Sequence, residues 1–456
     1  MMVQMIYIYY REILLIKLIF FTFFFSCSSQ FLPPSVGVHH KKNSSSTTDE
    51  SFVLDFDNNN TCTSNCGSSS FYAKLTGVPS KLNWSVSLWI KSGSNTGQWR
   101  SAINSYSDNK NGWQIDASSN GEEYRYTYKR PGASGSSSEK VRFNFINGGN
   151  NGNAISGNWD HLAVTSNGSS DETKLYYNGI LLKTIDEAIT SNTFDEINLG
   201  RNRYGDRPGN YSIDEVRVWD IVLTQDQIQK WMFKTLDNTH SNYSDLYVYF
   251  QMNIDNISGN QLLDQSGNNR NPTLYNLDEA GIQIATSYVP VRSLISSYSN
   301  NQVGLWSGSG LGEGLLSPGE PYKSLSSSGL EMVVDVSLSK ENFVVFGNNG
   351  LDETTNSDLP SVSLLKRSKR EWQFDKEGNV TTDIIIDISS TTGNNVSVVA
   401  ASKYRLLYKS CTMCDFSVYS TGSSYSDDKI TFSDVVIKDG FYSIASEDDK
   451  LKFSYI

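Results

Sequence analysis

The stretch NWDHLAVTSNGSSDETKLYYNGILLKT (residues 158–184) and the stretch YSIDEVRVWDIVLTQDQIQKW (residues 211–231) decide the fold of this chain. In the first stretch, two apolar and β-prone runs flank Asn178-Gly179. This is the strongest short signal for a β-hairpin, because both turn residues tolerate positive φ. The first stretch therefore predicts two antiparallel strands joined by a tight turn.

The second stretch predicts a strand followed by a short helix. In YSIDEVRVWD, neither alternating set of residues is cleanly apolar, so we expect a strand with both faces partly covered, as in stacked sheets. Thr224 precedes Gln227 by three positions, the spacing of a capping box, and Ile228 and Trp231 follow at helical period.

These motifs resemble the laminin-G-like, concanavalin-A-like domain of many secreted bacterial proteins. The resemblance begins at FVLDFDNNN (residues 52–60), passes through WSVSLWIK (residues 84–91) and the stretches above, and ends at residues 246–271. The resemblance implies an all-β jelly-roll sandwich of two antiparallel sheets over residues 52–280.

A chain of 456 residues is long for a single core, so we expect a second domain over residues 281–456. Residues 382–388 alternate in a way that predicts a strand, and no helical run of useful length follows. We therefore expect a second β-sandwich. This part resembles an uncharacterised C-terminal β domain found beside laminin-G-like modules in surface lipoproteins of Bacteroidetes-type bacteria.

The N-terminus predicts export. An apolar run at residues 18–25 follows Arg11 and Lys17 and is too short to span a bilayer. FFSC resembles a lipobox, so we expect a signal peptide over residues 1–26, lipidation of Cys27 and a flexible tether over residues 27–51. An ordinary secretory signal cleaved near Ser26, or a retained anchor, stays open.

This interpretation places the protein at the outer membrane or cell surface, held to the membrane through the lipid anchor only. A secreted or periplasmic protein is the alternative. The net charge of −11 argues against a nucleic-acid partner, since such binding relies on Lys and Arg. The basic run at residues 366–370 is expected to have a structural role, with attraction to an anionic polysaccharide as the alternative.

The cysteine count agrees with lipidation, which accounts for the odd fifth residue. The other four fall into two close pairs, Cys62 with Cys66 and Cys411 with Cys414. We expect both pairs to form disulfides in an oxidising compartment. A zinc site that uses all four thiolates, or a thioredoxin-like role for Cys411 and Cys414, is less favoured.

No catalytic motif is apparent. Glycoside hydrolysis needs two carboxylates that face each other across the substrate. The adjacent acids Asp214 and Glu215 are expected to point to opposite faces of their strand. Only His161 and His240 fall inside ordered segments, and we interpret His161 as structural. The protein is therefore predicted not to be an enzyme.

Calcium is the expected cofactor, in a structural role. In the resembled family a calcium ion commonly bridges the first and last strands, through an Asp of the last-strand motif and nearby carbonyls. The matching residues are Asp57 and Asp214. The alternative is that Asp214 caps or pairs within its strand.

Two places are candidates for ligand binding. Tyr124, Tyr126 and Tyr128 alternate with polar residues and so share one face of a strand, where flat rings can stack against sugars. The alternative is that they pack in the sandwich core. Arg203 and Tyr204 lie in a rim loop, a common location for recognition residues.

We therefore predict a non-catalytic, exported cell-envelope protein that binds carbohydrate or a cell-surface protein. The alternative is a structural or adhesive envelope component without a small ligand. A glycan-active enzyme comes third.

Overall fold

The computed structural model describes residues 52–55, 71–92, 100–105, 112–117, 124–129, 140–145, 158–188, 195–202, 209, 211–275, 283–307, 322–324, 326–335, 338–392 and 400–447. All of these residues lie in one compact unit that spans residues 47–456. Nearly all regular structure is β, as expected from the sequence. No helix among the described residues is both long and apolar enough to cross a membrane.

The first part of the chain forms seventeen strands within the described residues. They are β1 (Phe52–Asp55), β2 (Tyr72–Thr76), β3 (Asn83–Ser92), β4 (Ser101–Asn104), β5 (Trp113–Ala117), β6 (Tyr124–Lys129), β7 (Lys140–Asn144), β8 (Trp159–Asn167), β9 (Glu172–Tyr177), β10 (Ile180–Ile185), β11 (Glu196–Leu199), β12 (Tyr211–Trp219), β13 (Leu246–Phe250), β14 (Ile257–Ser258), β15 (Gln261–Leu262), β16 (Thr273–Tyr275) and β17 (Gln283–Thr286). The helix α1 (Gln225–Trp231) follows β12.

These strands form two antiparallel sheets. Sheet I has the order β10-β9-β8-β3-β12-β1-β17, and β13 also pairs with β12. Sheet II has the order β14-β15-β16-β2-β11-β4-β5-β6-β7. The core between them includes two stacked rings, Trp84 from sheet I and Trp113 from sheet II, with their centroids 4.8 Å apart. The jelly-roll sandwich expected from the sequence is confirmed.

The hairpin and the helix cap are also confirmed. Asn178 and Gly179 join β9 to β10 with φ values of 49° and 79°, the backbone that a tight primed turn requires. At the start of α1, the Gln227 backbone N–H donates to the Thr224 side chain and the Gln227 side chain accepts from the Thr224 backbone N–H. These two bonds satisfy donors that the first helical turn leaves open.

A β-bulge changes the alternation of β12. Its register against β3 shifts between Asp214 and Arg217, and Glu215 has a φ of 53°. Ile213, Val216 and Val218 consequently all belong to the core. Simple alternation was wrong here, because a bulge inserts one extra residue and reverses the facing of those that follow.

The bulge also corrects the expectation that Asp214 and Glu215 point to opposite faces. Asp214 pairs with Trp89, whose side chain lies on the outer side of sheet I. Glu215 accepts hydrogen bonds from Arg217 (2.5 Å) and from the Tyr249 hydroxyl (2.5 Å), which also lie on that side. Both carboxylates therefore lie on the outer side of sheet I, and both are buried.

The outer face of sheet I is a second core, so the prediction that β12 is covered on both faces is confirmed. One part of it packs Trp219 against Ile228 and Trp231 of α1. The other part packs against the second sandwich, where Trp89 lies 5.3 Å from Trp306, centroid to centroid. The indole N–H of Trp306 donates to the Trp159 carbonyl at 2.8 Å.

The second part of the chain forms thirteen strands within the described residues. They are β18 (Asn300–Trp306), β19 (Tyr322–Lys323), β20 (Leu330–Val334), β21 (Phe343–Asn348), β22 (Thr354–Thr355), β23 (Lys366–Ser368), β24 (Trp372–Glu377), β25 (Thr381–Asp387), β26 (Tyr404–Lys409), β27 (Ser417–Thr421), β28 (Ser424–Ser426), β29 (Lys429–Val436) and β30 (Gly440–Ser446). The short helix α2 (Ile388–Thr392) follows β25.

Sheet III has the order β18-β21-β24-β30-β23-β22, with β26 pairing with both β30 and β27, and sheet IV has the order β19-β20-β25-β29-β28. Ile384 and Ile386 of β25 are buried, as their alternation predicts. The second β-sandwich is thus confirmed. Division of the chain at residues 280 and 281 stays a prediction, since both sandwiches share one compact unit and β17 still belongs to sheet I.

The basic run of residues 366–370 is largely built into the second sandwich. The buried Arg370 guanidinium donates to the carbonyls of Ser328 (2.6 Å), Leu351 (2.7 Å) and Ser390 (2.8 Å). Arg367 is buried too and pairs with Glu371 at 3.3 Å. Both side chains hold the protein together, because carbonyls and a carboxylate satisfy the donors that burial removes from water.

One disulfide lies in the described residues, between Cys411 and Cys414, and it confirms that expected pair. It closes the connection between β26 and β27. Cys27, Cys62 and Cys66 lie outside the described residues, so their roles stay predictions.

Asp160 gives a pH-dependent prediction. Its carboxyl faces the core beside Ile90 and accepts a hydrogen bond from the Tyr177 hydroxyl at 2.6 Å. Burial raises the pKa of Asp160 to about 7. Because the pKa is raised in the folded state, the protonated carboxyl contributes its full share to the free energy of unfolding below the unfolded pKa of ~3.9. That contribution is lost as the pH rises towards 7.

We expect Asp160→Asn to remove that loss. Relative to wild type, its free energy of unfolding should rise by up to ~4 kcal/mol between pH 4 and pH 8, since each pKa unit is worth ~1.4 kcal/mol. Urea denaturation at both pH values measures this, and Asp427→Asn, at an exposed residue, is the control. Parallel stability curves for Asp160→Asn and wild type would contradict the prediction.

Candidate functional site

The three candidate tyrosines share one face of β6, but that face is the inner one. Tyr124, Tyr126 and Tyr128 are at most 1% exposed and belong to the core between sheets I and II. They therefore offer no exposed platform to a sugar, and the core alternative describes them. The physical reason is that alternation shows which residues share a face but not which face meets the opposite sheet.

Arg203 and Tyr204 lie outside the described residues, and so does Asp57. The described residues next to that rim loop are Arg201 and Asn202, which follow β11. Arg201 is half-buried and proves to be part of the site described below.

The outer face of sheet II carries a row of polar side chains. Directly paired residues of antiparallel strands point to the same side of a sheet, so the strand register defines this row. It contains Thr273, Lys74, Asn198, Asn104, Gln114 and Thr127, contributed by β16, β2, β11, β4, β5 and β6. We call it the polar row. Its neighbours along the strands, such as Ala73 and Ile115, fill the core.

One half of the polar row is organised around Asp116. Arg125 donates to this carboxylate with two groups, Nε to Oδ1 at 2.9 Å and Nη2 to Oδ2 at 2.8 Å. Gln114 Nε2 donates to it at 2.5 Å and the Thr127 hydroxyl at 3.2 Å. Burial raises the pKa of Asp116, and the hydrogen bonds and charge of Arg125 oppose that rise. The four side chains form one fixed network.

Gln114 has a free acceptor in this network. The residue is buried, and within the described part of the chain its Oε1 atom accepts no hydrogen bond. A buried acceptor without a donor is costly, so such an atom calls for a partner.

The other half of the row is a chain of amides that ends in charges. Asn198 Nδ2 donates to Asn104 Oδ1 at 3.1 Å and to Glu196 Oε1 at 2.9 Å. The other oxygen of Glu196 forms an ion pair with Lys74. Arg201 Nη2 donates to Asn198 Oδ1 at 3.2 Å. These bonds fix which way each amide points.

An aromatic pair stands at this end of the row. Tyr72 of β2 and Tyr275 of β16 are cross-strand neighbours whose rings stack with centroids 4.6 Å apart and planes 6° from parallel. The Arg201 guanidinium lies 3.6 Å from the Tyr72 ring centroid. Tyr275 is 38% exposed, so its ring is accessible to a ligand.

These residues were not singled out from the sequence, although the alternation of apolar and polar residues in β5 and β6 indicated them. Trp113 and Ile115 alternate with Gln114 and Asp116, and the tyrosines of β6 alternate with Arg125 and Thr127. This alternation predicts that the polar side faces away from the apolar core. In the structure that side is buried as well.

Asp214 does not by itself fit a calcium site. Its Oδ1 accepts from the Glu215 backbone N–H at 2.8 Å, and its Oδ2 accepts from the Ser287 hydroxyl at 2.9 Å. Burial, and then the charge of Glu215, raise the pKa of Asp214 well above its usual range. No group of three or more His, Cys, Asp or Glu suited to a metal occurs among the described residues. The calcium site stays a prediction.

The two buried histidines pack against tryptophans. His161 lies edge-on to Trp89 with centroids 5.3 Å apart, and His240 lies 4.5 Å from Trp219. Burial, and then the charge of Arg217, lower the pKa of His161 to about 3 and that of His240 to about 4. The geometry agrees with the structural role expected for His161.

Each of the two parts of the chain matches a family model over part of its length. Residues 43–229 match the family model described as the concanavalin A-like lectin/glucanases superfamily. Residues 331–441 match the model of a domain of unknown function (DUF8202). No curated protein matches the chain.

Solved structures with a similar fold include a putative carbohydrate binding protein from Bacteroides ovatus, at 17% identity and a TM-score of 0.38. That match covers 54% of this chain and 63% of the other, which is less than two thirds of its length. A second is the CBM40 of the Ruminococcus gnavus IT-sialidase bound to α2,3-sialyllactose, at 15% identity and a TM-score of 0.25, covering 34% of this chain and 90% of the other.

A third is the structure of a botulinum neurotoxin type C whose cell entry depends on two ganglioside molecules, at 11% identity and a TM-score of 0.28. It covers 88% of this chain and 94% of the other. Identities and scores this low carry no conclusion about this chain. The family assignment rests on the sequence motifs and the matched model: residues 43–229 form a domain of the concanavalin A-like lectin/glucanases superfamily.

Proposed function

We propose that the first sandwich binds carbohydrate, without catalysis, on the outer face of sheet II where the polar row meets Tyr72 and Tyr275. The observation that carries the proposal is the exposed Tyr275 ring beside side chains that are already fixed by hydrogen bonds. The lectin superfamily match of residues 43–229 supports the same ligand class.

The chemistry of this end of the row suits a sugar. A pyranose has an apolar face that stacks on an aromatic ring and a rim of hydroxyls that donate and accept hydrogen bonds. Tyr275 supplies the ring, and the partly exposed Arg201 and Lys74, held by Asn198 and Glu196, supply donors. Because these groups already hold one orientation, little ordering entropy is lost when a ligand binds.

The carboxylates on this face are poorly placed for hydrolysis. Glu196 and Asp116 lie on opposite sides of the polar row, on strands separated by β4. Two strand spacings and four residues along the strand place them about 16 Å apart, beyond the ~5–10 Å that glycosidases use. Each also has a basic partner, Lys74 for Glu196 and Arg125 for Asp116. This supports binding without turnover.

We expect Tyr275→Ala to weaken sugar binding about tenfold, which corresponds to ~1.4 kcal/mol, because it removes the exposed stacking surface. A glycan array with the full chain identifies ligands, and isothermal titration calorimetry compares wild type with the variant. Tyr425→Ala is a matched control, since Tyr425 is 47% exposed in β28 of the other sandwich.

An unchanged affinity in Tyr275→Ala would contradict this position for the site. No binding to any glycan on the array would contradict carbohydrate binding and favour the structural or adhesive role. Release of reducing sugar from any bound polysaccharide would contradict the absence of catalysis.

Export and anchoring belong to the proposal as well. The sequence motif around Cys27 favours acylation after removal of residues 1–26, which would hold the protein at the cell surface. We expect Cys27→Ser to lose metabolic labelling with palmitate and to move from the membrane fraction to the soluble fraction. Persistent labelling and membrane association of the variant would contradict a lipid anchor at Cys27.

A structural calcium ion is the last element of the proposal, and its further ligands would come from outside the described residues near Asp57. We expect a chelator to lower the melting temperature of the wild-type protein, because an ion that binds only the folded state stabilises it. Differential scanning fluorimetry with excess EDTA, and then with excess Ca²⁺, measures the effect. Identical melting curves would remove the site.

A further inference from the structure

Arg201 is held in one place by three contacts. Its carbonyl accepts from Asn104 Nδ2 at 2.7 Å, which fixes the backbone just beyond β11. Its guanidinium lies 3.6 Å from the Tyr72 ring centroid and donates from Nη2 to Asn198 Oδ1. The side chain remains half-buried rather than enclosed. A flat cation is thus presented near this end of the polar row, against the face of Tyr72 that is turned away from Tyr275.

The charge of Arg201 is not neutralised by the carboxylates of the polar face. Glu196 is paired with Lys74, and Asp116 is paired with Arg125. Among the residues that the structure describes, no Asp or Glu forms an ion pair with Arg201. The chain as a whole carries a net charge of −11, so a surplus cation in a candidate binding site contrasts with the rest of the protein.

The donor geometry of Arg201 defines what it can recognise. A guanidinium has five N–H donors in a plane, and one of them is used by Asn198. The remaining donors match a carboxylate, which accepts two parallel hydrogen bonds from such a fork. Stacking on Tyr72 restrains the plane, so less rotamer entropy is lost on binding than for a free arginine.

We infer that this site selects acidic glycans, with Arg201 binding the carboxylate of one uronic acid residue while a neighbouring residue of the same oligosaccharide stacks on Tyr275. The inference rests on the proposed carbohydrate site and adds the class of sugar to it. A neutral sugar would leave the cation without a partner in a partly desolvated position, which disfavours neutral ligands.

The test compares each acid with its own uncharged ester. The probes are tetramers of galacturonate, mannuronate and glucuronate, together with the same oligomers fully methyl-esterified, which differ only in charge. The proteins are full-length wild type, Arg201→Gln, Arg201→Lys, Tyr275→Ala and Lys429→Gln. The last removes an exposed cation of the second sandwich and controls for general charge. Circular dichroism and melting temperature show that each variant is folded.

In wild type, we expect at least one acid to bind tenfold or more tightly than its ester, with an affinity that falls as salt is raised. Arg201→Gln should make acid and ester equivalent, and Lys429→Gln should keep the wild-type preference. Arg201→Lys should retain only part of the preference, because a lysine keeps the charge but not the fork.

Equal binding of acids and esters by wild type, with binding lost in Tyr275→Ala, would overturn the acidic selectivity and leave the carbohydrate site intact. An acid preference that survives in Arg201→Gln would overturn the role of Arg201. No binding of any oligomer, together with silence on a glycan array, would overturn both the inference and the proposed function.

Discussion

The buried guanidinium of Arg217 is the interaction on which the rest of the structure depends. It lies on the outer side of sheet I and donates to the carbonyls of Trp231 (2.7 Å) and Lys234 (2.5 Å), while Glu215 balances its charge. These bonds hold the end of α1 and the residues after it against the sheet. There, Met232 and Phe233 fill the space between sheet I and the second sandwich. Without its partners such a charge would cost several kcal/mol, so the segment and the sheet depend on each other.

This arrangement determines where a ligand can bind. Because α1 and the second sandwich cover the outer face of sheet I, that face is a core and not a surface. On the outer face of sheet II, the polar row is buried at Asn198, Asn104, Gln114 and Thr127, and its exposed part is the end formed by β2 and β16, where Tyr275 lies. The bulge at Glu215 helps to separate the two faces of sheet I. It places Asp214 and Glu215 on the covered outer face and Val216 and Val218 in the jelly-roll core. The carboxylates of Asp214 and Glu215 consequently lie inside the protein.

The sequence predicted those features whose determinants are local. The Asn178-Gly179 turn and the Thr224 cap depend on residues within one hairpin or one helical turn, so their chemistry is visible in a short stretch. The bulge in β12 and the inward facing of Tyr126 depend on which sheet lies opposite, and the sequence does not contain that information locally. The polar row was missed for the same reason, because its residues come from six strands and only the register brings them together.

The polar row contributes orientation more than stability to the first sandwich. Asp116 and Arg125 are almost fully buried, and burial raises the pKa of Asp116 although Arg125 contacts both of its oxygens. A buried ion pair rarely stabilises a protein more than apolar residues of the same volume would, because both charges must leave water. Such a pair does, however, fix the orientation of its neighbours. Here it holds the amide of Gln114, whose second polar atom is left without a described partner, in line with Asn104 and Asn198. Asn104 and Asn198 continue this order towards the exposed end of the sheet, because Asn198 donates to Asn104 and accepts from Arg201. Side chains that are held rigidly lose little entropy when a ligand binds, which is the condition that our proposal for the Tyr275 end of the row needs.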